Sequence, residues 1–361
     1  MAIDRRSFLA GATALGFSSQ VRAAMPKARL LAAARAPSGV DQVALWSRAG
    51  DVETALAGRG HGVAHFADDN LFAIAGRRPG HFIDILDGAG TVQGTHPPQQ
   101  GRIFAGHVAP VGRTRMFLAT EIDERTGHGF VTRHRVGAEA SDLAWETHGL
   151  GPHDLTFLAG GGRLVVANGG LETAEDRAGA MIDPDTIESS LAILDMKDGR
   201  LIAKAQLSPA LRSLSIRHMA PSPDGTRVAF GMQDKKKDVW RPLVGVIDET
   251  GRVELFDAPK GNPDALRSYV GSVAIDTGGT YVAVTSPHGG RIEAWTLNDG
   301  RAVGGLALDD VCGLAADTEP HCFWATSGLG AIKRIEITSA GLEIRESFSS
   351  PLAFDNHLVL V

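Results

Sequence analysis

HDLTF, from His153 to Phe157, is followed by the turn Gly160 to Gly162 and then by LVVAN, from Leu164 to Asn168. Both segments are short, apolar and rich in residues that favour β-structure. The glycines between them tolerate the backbone angles of a tight reversal. The stretch therefore predicts two antiparallel strands joined by a hairpin.

The first strand of this hairpin is one of seven similar strands along the chain, each of which begins at a small residue or a histidine. They are GVAHF from Gly62, HVAPV from His107, HDLTF from His153, HMAPS from His218, SVAID from Ser272, GLAAD from Gly313 and HLVLV from His357. Most of their spacings are close to the period of about 40 to 50 residues that is typical of propeller blades. Three further strands follow each of the first six, and the fourth strands are the more polar, as expected of outer edges facing water.

The two ends of the chain are predicted to share one blade. The last first strand ends the sequence at Val361, whereas residues 30–56 contain three strand-like segments with no first strand before them. Joining them closes the ring and removes exposed sheet edges. We therefore predict an all-β fold, a seven-bladed β-propeller of four-stranded antiparallel blades, forming a single domain over residues 24–361. A β-sandwich does not need seven matched quartets, and a β-helix has a shorter period.

The N-terminus predicts export. Asp4-Arg5-Arg6-Ser7-Phe8-Leu9 places a twin arginine before a weakly apolar run, which is typical of a twin-arginine signal peptide over residues 1–23 with cleavage near Ala23. We expect a periplasmic protein with no membrane span after cleavage, because no later stretch has about 20 consecutive apolar residues. The formal net charge of −6 argues against a nucleic-acid partner. We also expect the protein to be a monomer.

Four of the seven first strands begin with histidine. Because the inner strands of a propeller start near its axis, the imidazoles of these residues are predicted to meet on one face, with His61 one residue before another first strand. Second strands end on the same face. The candidate metal or ligand residues are His107, His153, His218, His357, Glu121 and Asn168. Imidazole with carboxylate suits a transition metal, with iron as our first choice of cofactor. The alternatives are histidines that bond within their own blades and an organic or catalytic site.

Two insertions are predicted on the same face, over residues 169–189 and 233–241, and long loops in compact domains are often functional. They form a pocket lid or a protein-docking surface. The candidates for supporting or lid residues are Arg217, Glu172, Asp176 and Gln233.

Cys312 and Cys322 fall on adjacent strands of one blade. In an oxidising periplasm they either form a disulfide or remain two buried thiols, since pairing requires Cα atoms within about 7 Å. The sequence has no nucleophile elbow, P-loop, dinucleotide fingerprint or haem-attachment motif.

Several motifs in register resemble the bacterial domain-of-unknown-function 1513 family. They are GPHDL at Gly151, VVANGG at Val165, LSIRHM at Leu214, YVGSVA at Tyr269, VAVTSP at Val282, DVCG at Asp310 and FDNHL at Phe354. The resemblance implies a twin-arginine-exported propeller, often encoded beside periplasmic iron-acquisition proteins. It also implies an association with iron, carried by His153, His218 and His357, and partners among periplasmic iron-uptake proteins.

The leading hypothesis from the sequence is therefore a periplasmic binding or accessory protein linked to iron or metal acquisition, whose histidine-bearing face holds a metal or docks a partner. One alternative is a metal-dependent propeller enzyme, either a lactonase-like hydrolase or an oxidoreductase. The other is a purely structural interaction scaffold.

Overall fold

The computed structural model describes residues 28–138, 140–171 and 183–361. The predicted signal peptide and the candidates Glu172 and Asp176 lie outside the described residues. The described chain forms seven antiparallel sheets, six with four strands and one with five, arranged as the blades of a propeller. The predicted fold class is thus confirmed.

The strands are numbered in chain order. The first three are β1 (Arg29–Arg35), β2 (Asp41–Ser47) and β3 (Val52–Ala55). Blades 1 to 3 follow, each built from four consecutive strands. These strands are β4 (Gly60–Phe66), β5 (Leu71–Gly76), β6 (Ile83–Asp87), β7 (Val92–His96), β8 (Arg102–Pro110), β9 (Met116–Asp123), β10 (His128–Arg135), β11 (Leu143–Leu150), β12 (Pro152–Phe157), β13 (Arg163–Asn168), β14 (Ser190–Asp195) and β15 (Leu201–Gln206).

Blades 4 to 6 repeat the pattern. Their strands are β16 (Leu214–Pro221), β17 (Arg227–Asp234), β18 (Val244–Asp248), β19 (Val253–Leu255), β20 (Ser272–Ile275), β21 (Tyr281–Ser286), β22 (Arg291–Thr296), β23 (Ala302–Ala307), β24 (Val311–Ala316), β25 (Cys322–Ser327), β26 (Ala331–Thr338) and β27 (Gly341–Ser349). Two short strands, β28 (Ala353–Phe354) and β29 (Val359–Leu360), end the chain. Short 3-10 helices in the described loops are Ala159–Gly161, Pro184–Thr186, Pro209–Leu211 and Pro263–Leu266.

Blade 7 combines the first three and the last two strands of the described chain, as the sequence predicts. β28 pairs with β1 through Phe354 and Ala34, and β29 pairs with the other half of β1 through Leu360 and Leu30. β2 and β3 complete the sheet outward. The inner strand of this blade is therefore two short pieces, and residues 355–358 run between them.

The core lies between neighbouring blades. One cluster of buried side chains, for example, contains Val165 of blade 3, Phe230 of blade 4 and Trp295 of blade 5. A second cluster lies at the closure of the ring, where Phe354 packs in one group with Trp46 of blade 7 and Trp324 of blade 6. The burial of these side chains holds blades 6 and 7 against each other.

Cys312 and Cys322 are free, buried thiols, and they do not pair. The register of β24 against β25 opposes Val311 to Ser327 and Ala316 to Phe323, so the two cysteines lie at opposite ends of the hairpin. Burial raises the pKa of Cys312 to about 12 and that of Cys322 to about 11. Of the two alternatives that the sequence leaves open, the structure shows two buried thiols rather than a disulfide.

Among the described residues, no helix has the length and apolar character needed to span a bilayer.

Phe354→Ala tests the closure of the ring. Phe354 is 4% exposed within the cluster that joins blades 6 and 7, and truncating a buried phenylalanine costs about 3 to 5 kcal/mol. We expect the free energy of unfolding in urea to fall by that amount. The control is Leu329→Ala at a side chain that is 73% exposed, which should change stability by less than about 0.5 kcal/mol. Equal effects of the two changes would contradict this account of closure.

A buried ion pair in blade 6 also stabilises the fold, and its contribution to the free energy of unfolding depends on pH. Arg334 Nε donates to Asp317 Oδ2 over 2.7 Å, and the two residues are 8% and 5% exposed. Burial favours the neutral acid, but the hydrogen bond from Arg334 and several others outweigh it and lower the pKa of Asp317. The pair therefore stabilises the fold fully above the unfolded-state pKa of about 3.9. This stabilisation is lost as the pH falls through the lower folded-state pKa.

Arg334→Met should destabilise the protein by about 3 to 5 kcal/mol at neutral pH, because it leaves the Asp317 carboxylate buried without its cation. The difference from wild type should shrink as the pH falls from about 4 through the lower folded-state pKa of Asp317. Urea unfolding across this pH range measures both effects. Arg345→Met is the matched control, since Arg345 forms exposed pairs with Glu336 and Glu343 worth about 0 to 1 kcal/mol. A pH-independent loss in Arg334→Met would refute the assignment.

Candidate functional site

The inner strands of blades 1 to 4 carry a bulge at equivalent places. The pairing of each inner strand with its neighbour is interrupted between Gly60 and Val63, between Phe104 and Val108, between Pro152 and Asp154, and between Ile216 and Met219. One histidine lies in each gap: His61, His107, His153 and His218. A bulge breaks the alternation of side chains and re-aims the residue it contains. Here it turns the four imidazoles toward the propeller axis.

The four histidines of the bulges form one buried group, which we call the axial histidine cluster. One ring nitrogen from each of the four lies within 4.8 Å of the others, and the residues are 2% to 8% exposed. His357, between β28 and β29, is a fifth neighbour. Its ring centroid lies 4.5 Å from that of His107 and 4.7 Å from that of His61.

Hydrogen bonds fix the protons on two of the imidazoles. Arg217 Nη1 lies 3.4 Å from His153 Nδ1, and because a guanidinium only donates, this nitrogen is the acceptor. His153 Nε2 then carries the proton and donates to His218 Nε2 over 3.0 Å. Neutral His218 consequently has its proton on Nδ1, which has no hydrogen-bond partner among the described residues.

Asp154 orients His107. Its Oδ1 lies 3.1 Å from His107 Nδ1, while the backbone N–H of Met219 donates to Oδ2 over 2.8 Å. Burial opposes ionisation of this carboxyl, but the interaction with His107 outweighs it and lowers the pKa of Asp154. When only Nδ1 of His107 carries a proton, its lone pair is on Nε2, an atom that has no hydrogen-bond partner in the described part of the chain.

Burial keeps the imidazoles of four residues uncharged, namely His61, His153, His218 and His357. It lowers the pKa of His61, His153 and His218 well below the ordinary value, and neighbouring imidazoles add to the effect. The same causes lower the pKa of His357 to about 3. Neutral imidazole is the form that offers a nitrogen lone pair.

Two glycines allow His61 and His107 to approach each other. A Cβ at Gly62 would lie 2.4 Å from the carbonyl oxygen of Gly106 on the next blade, and one at Gly106 would lie 2.9 Å from His61 Cδ2. Gly106 also has φ of 106°, a conformation that side chains disfavour. His357 itself has φ of 70°, and such backbone strain is typical of functional sites.

A cavity of about 540 Å³ opens onto one side of the cluster. His61, His153 and His218 line its inner end, and four cationic side chains surround them, namely Arg77, Arg78, Arg217 and Lys235. Gln233, Tyr269 and Asn356 add polar groups. Arg77 and Arg78 lie between β5 and β6, and Lys235 directly follows β17. The cavity is therefore on the face of the inner-strand starts and of the loops between second and third strands.

The structure brings together most, but not all, of the residues predicted from the sequence. His107, His153, His218 and His357 meet at the axis, and Arg217 and Gln233 line the adjoining cavity. Glu121 and Asn168 are not part of the cluster. Both are completely buried, because their strands turn these side chains into the blade interfaces rather than toward the axis.

The contacts of these two residues lie within and between blades 2 and 3. Glu121 accepts from the backbone N–H of Gln99 over 3.3 Å and lies 3.6 Å from Arg102 Nη1. Asn168 Nδ2 donates to the carbonyl of Thr147 over 2.9 Å.

His61 and Asp154 are the site residues that the sequence-based candidate set omits. In the sequence His61 stands one residue before the predicted strand GVAHF, whereas in the structure it lies inside β4, and the bulge there makes it equivalent to the other histidines. Asp154 directly follows His153, in the segment HDL. That neighbouring carboxylate was the available signal.

Comparison with known proteins identifies the family but assigns no activity. No curated protein has a significantly similar sequence. Hydrazine synthase from Kuenenia stuttgartiensis shares the fold, with a TM-score of 0.60 and 12% identity over 88% of this chain and 95% of that chain. The family model described as a protein of unknown function, DUF1513, matches residues 54–361. This chain therefore belongs to the DUF1513 family.

Proposed function

We propose that this protein is a periplasmic metal-binding protein of iron acquisition, and that its metal is held by His61, His107, His153 and His218. The observation that carries the proposal is the convergence of four buried ring nitrogens within 4.8 Å at the axis. The histidines come from four different blades, so the whole ring is the scaffold of the site.

The donor atoms suit a transition-metal ion. Among the described residues, His61 Nδ1 and His107 Nε2 are buried without a hydrogen-bond partner, and His153 Nε2 and His218 Nε2 face each other over 3.0 Å, where a cation bound to both would replace their shared hydrogen bond and release its proton. Buried polar atoms without partners are rare and unfavourable, and coordination of a cation would satisfy those that carry a lone pair. Neutral imidazole binds iron, zinc, copper and nickel.

Asp154 further resembles a residue that supports a metal ligand. A ligating histidine commonly donates its other N–H to a carboxylate, which fixes the tautomer and raises the basicity of the ligand. The contact between Asp154 and His107 Nδ1 has this arrangement. The backbone N–H of Met219 holds the carboxylate in place.

The assignment to iron acquisition and to the periplasm has a different basis. It is supported by the twin-arginine motif at Arg5 and Arg6 and by the resemblance to a family often encoded beside iron-acquisition proteins. An imidazole cluster without a carboxylate ligand favours Fe²⁺ over the harder Fe³⁺.

The contacts of the histidines give less support to the alternatives. A structural scaffold predicts histidines bonded within their own blades, but His107 contacts Asp154 of the next blade and His153 contacts His218 of the blade after its own. A lactonase-like hydrolase would need carboxylate ligands at the axis, but the candidate Glu121 contacts Gln99 and Arg102 instead.

Metal titration of the purified, chelator-stripped protein tests the proposal. We expect one equivalent of Fe²⁺ under anaerobic conditions, or of Zn²⁺ as a redox-inert probe, to bind per chain. His61→Ala and His218→Ala should each weaken binding by more than about 100-fold, because each removes a ligand rather than a supporting residue. His128→Ala, at an exposed histidine, is the control. Absence of binding, or unchanged affinity in both site variants, would disprove the metal site.

Asp154→Asn tests the supporting role separately, because it removes no ligand. The amide is a weaker acceptor for His107 Nδ1–H, so Zn²⁺ affinity should fall by about 10- to 100-fold. The control is Asp68→Asn, at a carboxylate that is largely exposed and pairs with Arg113. Calorimetry on both variants gives the comparison, and wild-type affinity in Asp154→Asn would rule out the orienting role.

A further inference from the structure

Three cationic side chains in the cavity beside the axial histidine cluster have no carboxylate among the described residues to neutralise them. Arg77, Arg217 and Lys235 line it, and none of the three forms an ion pair with a described carboxylate. The charge is local, since the chain as a whole is acidic with a net charge of −6. Concentrated cationic charge in a concave site attracts anions.

Arg217 is the least solvated of these cations. It is 5% exposed, its Nη1 reaches only the neutral His153, and its Nε has no hydrogen-bond partner among the described residues. Arginine is almost never this deeply buried without a counter-charge. A guanidinium left with an unused donor at a cavity wall can therefore bind a group that the described residues do not supply.

The titration of the cationic side chains agrees with this geometry. Burial, and then the positive charge of Arg217, lowers the pKa of Lys235 to about 8. A bound anion would oppose this effect.

The remaining wall residues fit a small polar molecule. Tyr269, Gln233 and Asn356 offer hydroxyl and amide groups to a space of about 540 Å³. This is within the usual size range of small-molecule sites. The planar fork of arginine matches the oxygens of carboxylate and phosphate groups.

We propose that this cavity binds a small polyvalent oxyanion, one that carries two or more carboxylate or phosphate groups, with Arg217 at its base and Arg77 and Lys235 at its sides. The requirement for several anionic groups follows from the three separate cations. Its oxygens would lie beside His61, His153 and His218, and the inference that they approach a metal there rests on the proposed function. Binding of the anion itself does not require the metal.

Calorimetry on the metal-stripped full protein is the direct test, with citrate as the polycarboxylate probe and inorganic phosphate as the phosphate probe. We expect one of them to bind at a single site, more weakly as NaCl is raised. Arg217→Met should weaken binding by roughly 10- to 100-fold. Arg77→Gln and Lys235→Gln should have smaller effects in the same direction. Arg113→Gln is the control, at an exposed arginine in the turn between β8 and β9 on the opposite face.

Thermal unfolding separates ligand binding from a structural role of Arg217. The anion should raise the melting temperature of wild type by mass action, and Arg217→Met should abolish this rise. Without anion, the variant should melt no lower than wild type, because an uncompensated buried charge has been removed. A variant that melts lower and still binds the anion normally would overturn the proposal.

The outcomes also distinguish the two proposals. If Zn²⁺ binds but neither citrate nor phosphate does at moderate salt, the anion site is wrong and the metal site stands. If an anion binds to a protein that takes up no metal, the metal site is wrong and the anion site stands. Preference for citrate or for phosphate identifies the chemical group that the cavity recognises.

Discussion

The pairing of β28 and β29 with β1 is the interaction on which the rest of the molecule depends. Without it, blade 7 has no inner strand, blade 6 loses the apolar surface packed around Phe354, and the ring has two open edges. The same pairing positions the axis. His357 lies between the two pieces of the closing strand, so the segment that completes the fold also brings the fifth imidazole to the cluster.

The bulges of the inner strands convert this regular ring into a site. A perfect ladder would alternate side chains between the two faces of each blade, and none would be directed consistently at the axis. An interruption at equivalent points of four blades directs four histidines inward. Blade 6 has a comparable interruption between Val311 and Leu314, but Cys312 and Gly313 occupy it. No side chain fits at Gly313, since a Cβ there would lie 2.5 Å from Thr326 Oγ1 and 3.1 Å from Leu358 Cβ.

The sequence predicts the fold well because propeller blades repeat, and repetition makes weak strand signals additive. It also predicts the meeting of His107, His153, His218 and His357, because inner-strand starts share one face. Side-chain direction is harder to predict. Asn168 ends β13 and Glu121 lies near the end of β9, yet their side chains contact neighbouring strands and loops rather than the axis. Cys312 and Cys322 lie on adjacent strands but at opposite ends. Asp154 acts across a blade boundary, and its role depends on spatial contacts that no local motif records.

Ring closure also has a consequence for the order in which the protein forms. The partners Leu31 and Val359 are separated by nearly the whole chain, and such distant contacts form late because a long loop must close first. During synthesis from the N-terminus, β1 is made early, and its inner edge stays unpaired until β28 and β29 have been made. His357 consequently joins the axial histidine cluster at the final step of folding. A chain that stalls before that step has neither a closed ring nor this fifth imidazole.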